Sequence, residues 1–290
     1  MKKMTKVGII GCGNMGSAIV KGISSKYQVF IFDKEAGKTK NIAKAKVTKS
    51  IFDLVSSADV VILAVKPQDF ESVLSEIKDC IDGKLVISIA AGISTGYIEK
   101  VLGKVRIIRV MPNLPAKIGK GMSCLSKGKF ASNSDLLFAK KIFNFIGKTL
   151  FLNDENMIDA ATASSGSGPG FLSKGVSGKS LKEAKKIAQS EFMPLMLDTC
   201  IEMGFTRNQA QLLTTATTTG TIALWETTKI LPEDLAKQVA SKGGTTEAGL
   251  KKLKGKMKFL PNAMKAALKR AKELSNEAAT FQAKRRRKVA

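Results

Sequence analysis

Histidine is absent from the 290-residue sequence. This absence excludes Ser-His-Asp and Cys-His nucleophilic catalysis, histidine-ligated zinc or iron, and any imidazole acid or base. If the protein is an enzyme, its chemistry must come from a cofactor or from Lys, Ser, Thr, Tyr and carboxylate side chains.

Cysteine is scarce and dispersed. The four cysteines, Cys12, Cys80, Cys124 and Cys200, form no C-x-x-C pair, which argues against a metal knuckle and against a disulfide framework. The apolar segment near the N-terminus, Val7 to Ile10, is too short for the core of a signal peptide. We therefore expect free thiols, no metal site and a cytoplasmic location.

Long hydrophobic runs are also missing. Hydrophobic residues make up 44% of the chain, but no run approaches the roughly 18 residues that a membrane span needs. The longest, Val60 to Val65, predicts a buried strand, so we expect no membrane association. The chain length favours two domains.

Acidic residues are few: 24 stand against 48 basic ones, which gives a net charge of +24. The basic residues are mostly lysines spread along the chain without interleaved aromatics, a pattern typical of a solvated surface and not of a nucleic-acid interface. One basic run, Lys284 to Lys288, lies in a segment, residues 284–290, that we expect to be a disordered tail. A nucleic-acid or targeting patch is the alternative for this run.

The first half of the chain alternates short apolar runs with amphipathic stretches. Because strands that are apolar throughout are buried on both faces, this pattern predicts a doubly wound α/β domain with a parallel sheet over residues 1–152. The predicted strands are Val7–Ile10, Gln28–Phe32, Val60–Val65, Leu85–Ala90 and Val105–Val110.

The second half, residues 153–283, predicts an all-α domain with two glycine-rich loops, Ser164 to Gly170 and Ser241 to Gly249. A last helix is expected from Pro261 to Phe281. Its apolar stripe predicts core or a subunit interface and comprises Met264, Ala267, Leu268, Ala271, Leu274, Ala278 and Phe281.

A G-x-G-x-x-G motif lies between the first predicted strand and the first predicted helix. Such a motif binds the pyrophosphate of a dinucleotide, with free amides at the helix N-terminus facing the phosphates. Its residues are Gly11, Cys12, Gly13, Asn14, Met15 and Gly16. Asp33 ends the second strand, where a carboxylate binds the adenosine ribose and favours NAD, while Lys34 and Lys38 are placed to bind the 2′-phosphate of NADP.

Further cofactor contacts are expected where strands end. Ala64, Val65, Lys66 and Pro67 follow the third predicted strand, at the edge where open α/β sheets bind ligands. Lys66 is either a cofactor contact or a solvated lysine. Asn113 either hydrogen-bonds the nicotinamide or its ribose, or caps a turn.

Two clusters of small residues precede predicted helices in the second half. Such clusters either present amides to an anion such as a carboxylate or make tight helix connections. The clusters are Ser165, Gly166, Ser167, Gly168 and Pro169, and Gly243, Gly244, Thr245 and Thr246.

Six segments in this order match the motifs of one family. They are Gly11 to Gly16, Ala64 to Pro67, Ser88 to Gly92, Met111 to Asn113, Ser165 to Pro169 and Gly243 to Thr246. Through them the chain resembles the pyrroline-5-carboxylate reductases over nearly its whole length. The resemblance implies that a Rossmann domain holds NADPH or NADH, and that a helical domain pairs with a second subunit.

The resemblance further implies reduction of (S)-1-pyrroline-5-carboxylate to L-proline. The Ser165 and Gly243 clusters would hold the substrate across a dimer interface, with Thr246 as the hydroxyl nearest the ring nitrogen. A protonated imine is already electrophilic, so orientation and neutralisation of its carboxylate suffice, in agreement with the missing histidine. The alternatives are a related imine reductase, a hydroxy-acid dehydrogenase, and a cofactor-binding protein without activity.

The chain departs from the family pattern at four places. Lys242 stands where the family has proline, Gly170-Phe171 replaces alanine and an aromatic, and Leu114 replaces threonine. The lysine-rich segment from Ser173 to Ser190 is expected to be an insertion before a long helix that begins near Phe192.

Overall fold

The computed structural model describes residues 4–40 and 42–286, with side chains described as far as residue 277. In this part of the chain eight strands form one sheet, in the order β3-β2-β1-β4-β5-β6-β7-β8. The strands are β1 Lys6–Ile10, β2 Gln28–Phe32, β3 Lys46–Val47, β4 Val60–Leu63, β5 Leu85–Ser88, β6 Arg106–Met111, β7 Gly121–Lys127 and β8 Gly147–Phe151.

The sheet is parallel except where β6 pairs antiparallel with β7. The doubly wound α/β prediction is therefore confirmed, and all five predicted strands are present. Strands β3, β7 and β8 were not predicted because their exposed or polar residues interrupt the apolar pattern.

Helices cover both faces of the sheet. The apolar sides of α1 (Asn14–Ile23) and α5 (Asn133–Phe143) pack on one face. The opposite face is covered by three helices: α2 Ile51–Ser57, α3 Phe70–Ile77 and α4 Thr95–Leu102. Both faces thus bury apolar residues, which explains why the central strands are apolar throughout.

Within the described residues, the chain after β8 is helical and contains no strand, as predicted. Its helices are α6 Met157–Ala161, α7 Gly168–Gly175, α8 Leu181–Ile187, α9 Met193–Glu202, α10 Arg207–Thr228, α11 Pro232–Val239, α12 Thr245–Leu253 and α13 Leu260–Arg286. Their apolar sides form a separate core with β7.

The prediction of a loop from Ser164 to Gly170 is wrong. A π-helical turn, Thr162–Gly166, continues α6 and leads into α7. The hydroxyls of Ser164 and Ser165 donate to carbonyls one helical turn earlier, so these serines sit inside a helical segment. The second predicted loop is shorter than expected, because α12 begins at Thr245.

The prediction that a long helix begins near Phe192, after the segment from Ser173 to Ser190, is wrong. Ser173 is buried within α7, and a capping box between Ser180 and Glu183 begins α8. A second π-helical turn, Ala188–Phe192, joins α8 directly to α9. The long helical segment therefore begins at Leu181, since the cap fixes its start.

The last helix is longer than predicted. Of its stripe, Met264, Ala267 and Ala271 are buried in the core; the side chains of Ala278 and Phe281 lie outside the described ones. The helix continues to Arg286, so the first three residues of the basic run are helical instead of disordered, and residues 287–290 lie outside the described part. No helix that the structure describes is long and apolar enough to cross a membrane.

Candidate active site

The glycine-rich motif forms the turn between β1 and α1. Gly11 has a φ of +99°, and a Cβ there would lie 2.6 Å from the carbonyl oxygen of Ala64. A Cβ on Gly16 would overlap the carbonyl oxygen of Gly11, whereas a Cβ on Gly13 would meet nothing within 4 Å. The first and third glycines therefore allow close packing, and the second leaves the backbone open to a ligand.

The N-terminus of α1 is open toward this turn. Gly13 is its N-cap, no side chain caps the first turn, and no acidic residue lies in it. Positive charge lies near the turn, because four lysines line the cleft that also contains Gly13 and Asn14. These are Lys21, Lys38, Lys66 and Lys117. Open amides and lysines together are suited to bind phosphate groups.

A second cleft, of about 410 Å³, lies at the carboxyl ends of β1, β2 and β4. It brings together Gly11, Gly13, Asp33 and the Ala64-Val65-Lys66 segment, which lie far apart in the sequence. The structure therefore groups most of the predicted cofactor residues at one edge of the sheet.

Asp33 is held by the backbone. One carboxylate oxygen accepts from the N–H of Cys12 at 2.7 Å and the other from the N–H of Glu35 at 2.8 Å. The carboxylate thus fixes the glycine-rich turn relative to the end of β2. Asp33 also lines the second cleft, and a carboxylate keeps acceptor capacity beyond these two hydrogen bonds.

Both lysines proposed for a 2′-phosphate are paired with acids. The Lys34 amine lies 2.6 Å from Asp69, and the Lys38 amine lies 2.6 Å from Glu35. The hydrogen bond to Glu35 raises the pKa of Lys38. Both pairs are exposed, so a phosphate can exchange with the carboxylates at little cost.

Asn113 ties the end of β6 to the helical domain. Its side-chain amide donates to the carbonyl of Ser165 at 3.1 Å, and its side-chain oxygen accepts from the N–H of Met122 at 2.8 Å. Asn113 is 2% exposed. Its amide atoms are thus engaged within the protein, and a contact to the nicotinamide stays a prediction.

The two predicted substrate clusters meet within one chain. The Thr246 hydroxyl donates to the Ser167 hydroxyl at 3.0 Å, and the Thr245 hydroxyl lies 3.3 Å from the same oxygen. Thr246 is 5% exposed and Ser167 is fully buried, while Thr245 is half-buried. Ser167 is the N-cap of α7, so three hydroxyls are grouped at the N-termini of α7 and α12.

Lys21 and Lys117 are cleft residues that sequence reasoning missed. Lys21 follows Asn14 and Ser17 on one face of α1, a helical spacing that was available in the sequence. Lys117 reaches the cleft from the turn after β6, with its amine 3.4 Å from the Gln238 side chain of α11. Burial lowers the pKa of Lys117. No sequence pattern indicates that contact.

Comparison with known proteins agrees with this geometry. Residues 6–92 match the family model for NADP oxidoreductase, coenzyme F420-dependent, and residues 189–274 match the model for pyrroline-5-carboxylate reductase dimerisation. A pyrroline-5-carboxylate reductase of Methanosarcina acetivorans is 33% identical, covering 94% of this chain and 98% of its own. The chain belongs to the pyrroline-5-carboxylate reductase family.

Solved structures of pyrroline-5-carboxylate reductases show the same fold. The enzyme of Coxiella burnetii is 30% identical, with a TM-score of 0.62 over 94% of this chain and 99% of its own. The Plasmodium falciparum enzyme, solved with NADP bound, is 27% identical, with a TM-score of 0.61 over 95% of this chain and 99% of its own. The resemblance inferred from the six motifs is confirmed.

Proposed function

We propose that the protein reduces (S)-1-pyrroline-5-carboxylate to L-proline with NADPH or NADH. Its membership of the pyrroline-5-carboxylate reductase family supports this activity. The observation that carries the proposal is the juxtaposition at the end of β6, where Asn113 joins the sheet edge that bears the cofactor cleft to the Ser165 segment of the helical domain.

The cleft fits a dinucleotide. Gly13 leaves room for a pyrophosphate against the backbone, and the uncapped start of α1 offers N–H donors to it. Lys66 and Lys38 add positive charge to the lining of the cleft beside Gly13. Asp33, Lys34 and Lys38 all line the cleft. We assign Asp33 to the ribose and the two lysines to a 2′-phosphate, an assignment under which this edge accepts both dinucleotides.

A bound nicotinamide supplies the hydride. The chain's own residues bind and orient the imine. Solvent can protonate the imine nitrogen, and the resulting iminium accepts the hydride without an acidic side chain. We assign the substrate carboxylate to the Ser165 to Pro169 segment and to the segment of Gly243, Gly244 and Thr245, where the N–H and hydroxyl of Thr245 lie at the start of α12. The Thr246 hydroxyl, held by Ser167 at 3.0 Å, is assigned to the ring nitrogen.

Subunit pairing completes the proposal. The match to the dimerisation model over residues 189–274 supports a homo-oligomer, and we assign the contact to the helical domain. A cytoplasmic location and the absence of nucleic-acid binding stay predictions from the sequence.

The test is cofactor oxidation at 340 nm with pyrroline-5-carboxylate, run in parallel with NADH and NADPH, with proline identified as the product. Turnover with proline formation supports the proposal. If both cofactors bind but neither is oxidised, the activity is wrong, and other cyclic imines and hydroxy acids become the substrates to examine.

A further inference from the structure

The segment before α12 is a tight turn centred on Lys242 and Gly243. The N–H of Gly244 donates to the carbonyl of Ser241 at 3.0 Å, and Gly243 has a φ of +71°. A positive φ at the third residue defines a type II turn, in which proline is favoured at the second residue. Lys242 occupies that second position, so this chain lacks the ring that would stiffen the turn.

Arg270 supports this turn from α13. Its Nε donates to the carbonyl of Gly243 at 2.9 Å. On the other side of the same residue, the N–H of Gly243 donates to the Glu247 carboxylate at 2.8 Å. Both backbone groups of the central glycine are thus held by side chains of two different helices.

The guanidinium of Arg270 is itself fixed. Its Nη1 lies 2.8 Å from Glu277 and 3.2 Å from Glu273, both on α13. These carboxylates raise the pKa of Arg270, and its side chain is 26% exposed. Because a planar guanidinium binds a carbonyl and two carboxylates at once, lysine cannot make the same set of contacts.

The turn leads directly to the proposed substrate residues. Gly244 is the N-cap of α12, which begins at Thr245 and Thr246. A shift of the turn therefore displaces the amides and hydroxyls at the start of α12 relative to Ser167, which belongs to a different segment.

We propose that Arg270 is a positioning residue that holds the Ser241 to Gly244 turn in its substrate-binding geometry, in place of the conformational restriction that a proline at position 242 would give. The inference rests on the proposed function, because it assigns the turn to the imine substrate. Arg270 touches neither substrate nor cofactor in this assignment, so its loss changes substrate binding through the backbone of Gly243.

The test compares the single variant Arg270→Ala with the double variant Arg270→Ala, Lys242→Pro. The matched control is Lys269→Ala, at an exposed neighbour on the same helix. We expect Arg270→Ala to raise the KM for pyrroline-5-carboxylate by about three- to tenfold, the effect of one lost hydrogen bond of typical net strength. The KM for NADPH should stay within about twofold, since this contact lies outside the cofactor cleft. Adding Lys242→Pro should restore most of the substrate KM, because the ring fixes the turn without Arg270.

A second measurement does not depend on turnover. Hydrogen exchange of the amides from Gly243 to Thr246 should be faster in Arg270→Ala than in the wild type. In the double variant it should return toward the wild-type rate, whichever substrate the protein uses. Size-exclusion chromatography checks that the oligomer is unchanged. If the wild type reduces no pyrroline-5-carboxylate but exchange behaves as described, the proposed function fails while the role of Arg270 in the turn survives.

Three results would overturn the inference. One is unchanged exchange at the turn in Arg270→Ala. Another is an equal rise in the KM for pyrroline-5-carboxylate and in the KM for NADPH, because such a rise indicates a general loss of structure. The third is a substrate KM that Lys242→Pro leaves uncorrected although exchange is restored.

Discussion

The guanidinium of Arg109 lies 3.0 Å from the carboxylate of Glu155, and the two residues join the sheet to the helical domain. Arg109 belongs to β6 and its side chain is 4% exposed. Glu155 also accepts from the backbone N–H and hydroxyl of Thr95, at the start of α4. A second carboxylate, Asp159, lies 3.5 Å from Arg109 and accepts from Ser275 of α13.

Removal of the Glu155 charge should destabilise the protein. In Glu155→Gln the buried guanidinium keeps only the more distant Asp159, and an uncompensated buried charge is costly. Because Glu155 is 24% exposed, we expect a loss of about 2 kcal/mol in the free energy of unfolding, less than the roughly 3–5 kcal/mol for breaking a fully buried pair. Urea unfolding measures it, with the exposed Glu191→Gln as control. Equal midpoints for the two variants would contradict the prediction.

Two glycines of the first motif should respond differently to alanine. Gly13→Ala has room for its methyl group and should fold, but the methyl occupies the space proposed for the pyrophosphate, so the Kd for NADPH should rise about tenfold or more. Gly16→Ala collides with the Gly11 carbonyl and should lower the Tm by several degrees. Cofactor titration and thermal unfolding separate the two effects. A Gly13→Ala protein that binds NADPH normally would place the phosphates elsewhere.

Lys34 and Lys38 should discriminate between the two cofactors. We expect Lys34→Ala with Lys38→Ala to raise the KM for NADPH by about five- to tenfold and the KM for NADH less than twofold, because only NADPH carries the 2′-phosphate. Lys49→Ala, an exposed lysine outside both clefts, serves as control. The effect should shrink as ionic strength rises. Equal changes for both cofactors would assign these lysines to the pyrophosphate or to neither group.

The hydroxyl of Thr246 should contribute more to activity than the volume of its side chain does. Thr246→Val keeps the volume but removes the donor to Ser167, and we expect kcat/KM for pyrroline-5-carboxylate to fall by about ten- to a hundredfold. Thr246→Ser should retain most of the activity. The Tm of both variants shows whether stability changed as well. Full activity in Thr246→Val would show that the Thr246 hydroxyl is not needed at the ring nitrogen, and Thr245→Val would then be the next variant to measure.

Most thiols should be unreactive in the folded protein. Burial, aided by the nearby Asp33 charge, raises the pKa of Cys12 to about 12, and burial raises those of Cys124 and Cys200 to about 12. The thiolate is the reactive form, so at pH 8 these three groups stay protonated. A thiol reagent should modify only the half-buried Cys80 in the native protein and all four after unfolding. Rapid modification of Cys12 that NADPH suppresses would show an open glycine-rich turn.

The sequence by itself determined the fold class and the cofactor edge. The apolar runs could only be buried strands, and the spacing from Gly11 to Gly16 between a strand and a helix matches the contacts that the structure makes there. These features are local, so a few consecutive residues carry them. Strands β7 and β8 were missed because their stability comes from pairing and not from their own pattern.

Tertiary structure alone decided how the distant parts meet. Ser165 lies inside a helical segment, where its hydroxyl donates to the Ala161 carbonyl and its own carbonyl accepts from the Asn113 amide, whereas the composition of the segment predicted a loop. The contacts between Arg270 and Gly243, and between Arg109 and Glu155, join residues 27 and 46 positions apart. Such pairs leave no periodic signal in one sequence, since only the packing of complete helices on the sheet brings them within hydrogen-bonding distance.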